Sequence, residues 1–191
     1  MSRTGDRRRP WYERGHQDRA VAEGIHAVDT QTIDDELAQA GAQDLLTSPH
    51  LAHVAYLGAD GTPRVIPIGF FWTGQQVVVC TAATAPKVAS LSARPEVAVT
   101  IDAGDTPDTA RSLSIRGQAT VEIVDGVPSE YLAGAGKFLD EEALAAFEQG
   151  CQQLYDQMAR ITITPSWARY YDYGGGRAPQ FLVDLAAKHL T

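Results

Sequence analysis

The sequence predicts an α+β domain of mainly β character, an antiparallel barrel of short strands with helices packed on its outside. Three observations carry this. Residues 51–81 hold three short apolar runs separated by tight turns. Residues 111–123 alternate strictly, with Leu113, Ile115, Gly117, Ala119, Val121 and Ile123 on one side and Ser112, Ser114, Arg116, Gln118, Thr120 and Glu122 on the other. The connections between runs are short, which favours antiparallel pairing. Closing such strands into a barrel removes exposed edges.

Taken in order, residues 32–46 read as one helix, with Thr32 as cap and Ile33, Leu37, Ala40 and Leu45 near one face. Ser48-Pro49 stops it. Strands are expected at 51–57, 64–72 and 76–81, with Thr73-Gly74 as a tight connection, so that the three form a meander. The run Val77-Val78-Val79-Cys80 is apolar on both faces and reads as a covered strand. A short helix spans 85–93 with Thr84 as cap, and Arg94-Pro95 ends it. A fourth strand covers 96–102. The alternating strand follows, with Gly117 able to bend or bulge it. Residues 128–158 form two helical pieces, the second capped by Asp140. A short strand at 160–164, an aromatic stretch at 167–173, a glycine loop and a terminal helix at 179–190 complete the chain.

The chain has 191 residues and a net charge of −8, unevenly spread. Residues 1–19 hold six arginines against three carboxylates, whereas the remaining 172 residues carry 10 basic and 21 acidic side chains. Residues 1–29 are therefore expected as a flexible arm and 30–191 as the barrel domain. An acidic body argues against nucleic-acid binding. No run approaches a membrane span. Cys80 and Cys151, with no CxxC spacing, make neither a disulfide framework nor a zinc knuckle. A cytoplasmic setting follows as the expectation. His50 and His53 fall on opposite faces of a strand, so no metal site is expected.

The chemistry concentrates at Cys80-Thr81-Ala82-Ala83-Thr84-Ala85-Pro86-Lys87. A cation in the first turn of a helix opposes the helix dipole. That placement makes sense if an anion binds there, held by backbone N–H groups, the Thr81 hydroxyl and the Lys87 ammonium. Arg64 opens the neighbouring strand and reaches toward the same anion in this reading. Pro67 removes a ladder donor, so its strand is an edge whose free backbone suits the polar rim of a flat heterocycle. Trp167, Tyr170 and Tyr171 are candidate walls of a substrate pocket. No side chain stands out as catalytic.

Gly61, Pro63, Pro67, Thr81, Lys87 and Pro95, with Leu113–Gly117 and Arg160–Pro165, together resemble the pyridoxamine 5′-phosphate oxidase-like family of flavin and deazaflavin split-barrel oxidoreductases. The resemblance implies a split-barrel homodimer with cofactor sites at the subunit interface. It implies FMN as cofactor, with the deazaflavin coenzyme F-420 as the alternative, and a small organic substrate. By position, Arg64, Thr81 and Lys87 would hold the cofactor phosphate. Val65, Ile66, Pro67 and Ile68 would lie along the ring, and Cys80 would neighbour the phosphate turn. Gly69, Pro86 and Ser112 stand where true pyridoxamine-phosphate oxidases carry Lys, Arg and Gln, and their closing Arg-x-His-x-Arg motif is missing, so vitamin B6 oxidation is not expected. A reductase is the expected activity. The alternative is a non-catalytic protein that holds or sequesters flavin or haem.

Overall fold

The computed structural model describes residues 30–106 and 108–189; the expected N-terminal arm, 1–29, lies outside the described residues. Two helices come first, α1 (Thr30–Leu37) and α2 (Ala40–Thr47). The strands and remaining helices follow as β1 (Ala52–Leu57), β2 (Pro63–Ile68), β3 (Phe71–Trp72), β4 (Val77–Ala82), α3 (Pro86–Ala93), β5 (Glu96–Ala103), β6 (Arg111–Asp125), α4 (Ser129–Ala135), α5 (Glu141–Leu154), β7 (Gln157–Asp172) and α6 (Gln180–His189). All strands join one sheet in the order β2-β1-β5-β6-β7-β4-β3, and every pair is antiparallel.

The run expected as one strand from 64 to 72 is two strands at opposite edges of this sheet. β2 pairs with β1, and β3 pairs with β4. Only Gly69 and Phe70 lie between them. Three residue steps span at most about 11 Å, so the two edges of a seven-stranded sheet must meet at that point. The sheet therefore curls into a barrel whose seam is closed by the chain and not by a hydrogen-bonded ladder. The expected meander is corrected accordingly: β1–β2 and β3–β4 are separate hairpins. Gly74, at φ 96°, makes the second turn, where the Thr73 N–H donates to the Gln76 carbonyl at 3.0 Å.

The interior is filled from all sides of this curl. Val54, Val77, Val79, Val99, Ile101, Leu113, Ile115, Ile161 and Ile163 share one apolar cluster with Leu45 and Leu46 of α2. Val78 and Cys80 face the other way and join Met158 in a second cluster. β4 is thus covered on both faces, as its four consecutive apolar residues predict. α2 touches β3, β5, β6 and β7, so it lies across one end of the barrel. Its N-cap residue, Gln39, makes no capping side-chain bond. A cap is worth about 1 kcal/mol, whereas each fully buried Leu adds about 1.5–3 kcal/mol, so burial holds this helix in place.

The single helix expected over 32–46 breaks at Ala38-Gln39. Thr32 lies inside α1 and caps nothing. The break lets α1 run along β7 while α2 turns over the barrel mouth. A Cβ on Gly41 would stand 1.9 Å from the Tyr170 hydroxyl, so the chain passes that ring only as glycine.

β6 and β7 pair over their whole length, with a register shift at Arg116/Gly117. Gly117 opposes Pro165, and a Cβ there would meet the Thr164 carbonyl oxygen at 2.4 Å. The expected bulge at Gly117 is present. The short strand at 160–164 and the aromatic stretch are one strand, β7, because Pro165 falls at the bulge, where a missing N–H costs no ladder bond. Helix α5 ends at Leu154, earlier than expected, and Met158 belongs to β7. Asp140 caps α5 as predicted, its Oδ1 accepting from the Ala143 N–H at 2.9 Å. Among the described residues no helix is long and apolar enough to cross a membrane.

Glu36 ties α1 to the far end of the chain. The residue is 9 % exposed. Its carboxylate accepts from the Tyr170 N–H at 2.8 Å, from Arg169 at 3.3 Å and from Arg177 at 2.9 Å. Glu36→Ala is expected to lower stability by about 2–3 kcal/mol, because it orphans a buried N–H and removes charge-assisted bonds. The urea midpoint measures it, and a loss under about 1 kcal/mol would show that the arginines carry no structural load.

Candidate functional site: the turn between β4 and α3

The turn after β4 brings two of the expected site residues together. The Lys87 ammonium donates to the Thr81 hydroxyl at 3.1 Å. Pro86 opens α3, as predicted, but Ala85 occupies the cap position with no side-chain bond, so Thr84 is not the cap. The first turn of α3 contains no acidic residue. Among the described residues, no carboxylate pairs with Lys87. Burial alone pushes its pKa down. The ammonium is half-buried, has no carboxylate partner among the described residues and sits at the positive end of a helix dipole. Each of these is unfavourable in the free protein, and an oxyanion at the same place would reverse all three.

The strand expected beside a heterocycle is an edge. β2 pairs with β1 on one side only. Val65 and Pro67 are exposed, whereas Ile66 and Ile68 pack against the core. One side of the Val65–Ile68 backbone therefore has no strand partner among the described residues, and Pro67 contributes no donor to it.

Arg64 and Cys80 are differently engaged. The Arg64 guanidinium pairs with Asp60 at 2.9 Å and also bonds Thr62 and the Pro63 carbonyl. It is held in the β1–β2 turn, away from the Lys87–Thr81 pair. The β-strand alternation turns the Cys80 side chain away from Thr81 and into the second apolar cluster. Burial, and then the nearby Glu130 charge, push its thiol up to about 12, so it is neutral and unreactive. Of the expected pocket walls, Tyr170 is a buried core residue and Trp167 carries the Arg116 guanidinium 4.5 Å above its ring.

Three charged residues that the sequence does not mark as site residues stand beside β4 and Phe70. Glu130 is ion-paired with Arg160 at 2.7 Å across thirty positions of chain. Lys137 sits 3.5 Å over the Phe70 ring and donates to the Leu46 carbonyl. Only long-range pairing on the finished barrel joins these partners.

The pyridoxamine 5′-phosphate oxidase family model matches residues 38–165. The chain belongs to this family. The match covers the turn, the edge strand, β6 and the first half of β7. An F-420 reductase is 26 % identical, with a TM-score of 0.51 over 66 % of this chain and 94 % of that one. A conserved hypothetical protein from Mycobacterium tuberculosis shares the fold at 21 % identity, with a TM-score of 0.57 over 74 % of this chain and 89 % of that one. A haem storage protein from Vibrio cholerae is more distant, at 17 % identity and a TM-score of 0.49 over 66 % and 89 % of the two chains. No curated protein matches the chain in sequence.

Two measurements follow from the lysines. Lys87→Met is expected to raise the melting temperature of the ligand-free protein by about 1–3 °C, since it removes an unpaired cation from a helix start; a lower melting temperature would mean that the ammonium is already stabilised. Burial lowers the Lys137 pKa from 10.5 to about 8. The unfolded chain then binds the extra proton between those values, so this group's contribution to stability increases as pH rises from about 8 to 10.5. Denaturation curves at several pH values should show that increment in the wild type and not in Lys137→Met.

Proposed function

We propose that this member of the family binds a phosphorylated flavin or deazaflavin and serves as a reductase of a small organic molecule. The observation that carries the reading is the half-buried Lys87 ammonium, bonded to Thr81 and with no carboxylate partner among the described residues. A cofactor phosphate supplies that counter-ion. The Thr81 hydroxyl orients the ammonium toward it, and Arg64 is a second cation available if it leaves Asp60. The unpaired side of Val65, Ile66, Pro67 and Ile68 offers backbone groups to the polar rim of the ring. The apolar surroundings at Ile66 and Ile68 keep water from one side of it. When bound, such a cofactor supplies hydride transfer, and the protein's task is binding, orientation and exclusion of water. The likeness to an F-420 reductase supports the reductase reading and brings the deazaflavin into contention with FMN.

A second copy of the chain completes the site in this reading. Val65, Ala55, Ala98, Arg116 and Trp167 lie in one register row across β2, β1, β5, β6 and β7. Val65 is 64 % exposed and Leu57 42 %. A broad sheet face with small residues at its centre suits close packing against a copy of itself.

The test is titration of the purified protein with FMN and with F-420, followed by absorbance and fluorescence. One of them is expected to bind, and Lys87→Ala should weaken it about tenfold or more, the worth of one charge-assisted bond. A protein that neither cofactor saturates, or a Lys87→Ala variant that binds as tightly as the wild type, would overturn the reading. Sedimentation should give a dimer.

A further inference from the structure

A pocket of about 370 Å³ lies at the barrel seam, between the outer face of β4 and the α4–α5 pair. Its walls include Leu51, Phe70, Val78, Tyr131, Phe138 and Phe147. Gly69 and Cys80 also line it. Gly69 directly follows the edge strand, and Cys80 directly precedes Thr81. The pocket thus adjoins the cofactor region at two points while its lining comes from different side chains. A Cβ on Gly134 would meet the Phe70 carbonyl oxygen at 3.0 Å, so α4 sits as close to the seam as a helix can.

The volume is at the low end of the range for small-molecule sites and suits a one- or two-ring compound. The charge state of the walls narrows the class. Three lining groups are titratable, and none offers a free charge. Burial is the largest influence on the Glu130 carboxylate and works against it, but Arg160, its own backbone N–H and Ser129 together outweigh burial and hold its pKa below the usual value. Arg160 also donates to the Thr162 hydroxyl at 2.8 Å. The Cys80 thiol is neutral, and burial also keeps the Tyr131 phenol protonated. Lys137 lies over the ring of the wall residue Phe70 and donates to the Leu46 carbonyl, and it is not part of the lining. An anion entering here would lose its water and find no partner, whereas an uncharged aromatic ring would displace water from phenyl and aliphatic surface.

We infer that the seam pocket is a binding site for an uncharged aromatic molecule of one or two rings, and that it excludes phosphorylated and other anionic compounds. Its role as the substrate site rests on the cofactor reading; its ligand class does not. Phe138, 46 % exposed at the rim, guards the entrance. Ala135 lines the wall and leaves the space open.

Calorimetry of the full chain without cofactor, using 2-naphthol and naphthalene-2-sulfonate as probes, tests it. 2-Naphthol should bind, and the sulfonate should bind about tenfold more weakly or not at all. Ala135→Phe fills the space and should abolish naphthol binding. Because that variant can also perturb α4, Phe138→Arg is the second. It places a cation at an exposed rim position and should shift the preference toward the sulfonate by about tenfold. Equal affinity of the wild type for the two probes, no binding of either, or a preference unmoved by Phe138→Arg would overturn the inference. FMN and F-420 titrations of the same samples separate the two readings. Naphthol binding without cofactor binding sinks the cofactor site alone, and the converse sinks the pocket alone.

Discussion

The short link Gly69-Phe70 is the constraint on which the rest of the molecule depends. It joins the two edges of a seven-stranded sheet. A flat sheet of that size would hold its edges tens of ångströms apart, since neighbouring strands are about 4.8 Å apart. Two residues cannot bridge that, so the sheet has to curl. The curl creates the enclosed volume that Val54, Val79, Ile115 and Ile163 fill. It also leaves β2 and β3 without a ladder between them. β2 therefore remains an edge with free backbone groups, and a pocket opens beside the seam. Core, edge and pocket follow from one short connection.

The charged groups divide into two kinds within this frame. Glu36 and Glu130 are carboxylates with arginine partners, each tying a helix to β7 or to the residues just beyond it. They are satisfied and have no further bond to offer. Lys87 is the opposite case, a half-buried ammonium with a hydroxyl for company and no carboxylate among the described residues. A protein under selection for stability alone has no reason to keep a cation at a helix start, where the dipole opposes it.

The legible parts of the chain are those whose cause lies within a few residues. The alternation from Leu113 to Ile123, the Asp140 cap and the bulge at Gly117 follow from side-chain period, capping chemistry and the absence of a Cβ. The Thr81–Lys87 contact belongs with them, because six residues of strand end and helix start bring the two side chains to one place. The errors also share a cause. A single strand was the natural reading of Arg64–Trp72, since its apolar run is continuous. Its division depends on β1 claiming one half and β4 the other. The helix over 32–46 has apolar residues near one face throughout, and its division at Ala38-Gln39 accompanies the packing of α1 along β7 and of α2 across four strands distant in sequence.

By itself, then, the sequence determined the strand and helix types, the family, and the cation-bearing turn, because each rests on local periodicity or on spacing along the chain. The tertiary structure decided which edges meet, that Arg64 turns to Asp60, that Cys80 faces the seam pocket, and that this pocket presents no free charge. Those outcomes depend on partners such as Glu130 and Arg160, which are distant in sequence. Their proximity is a property of strand order, and strand order is set by the closure of the whole barrel.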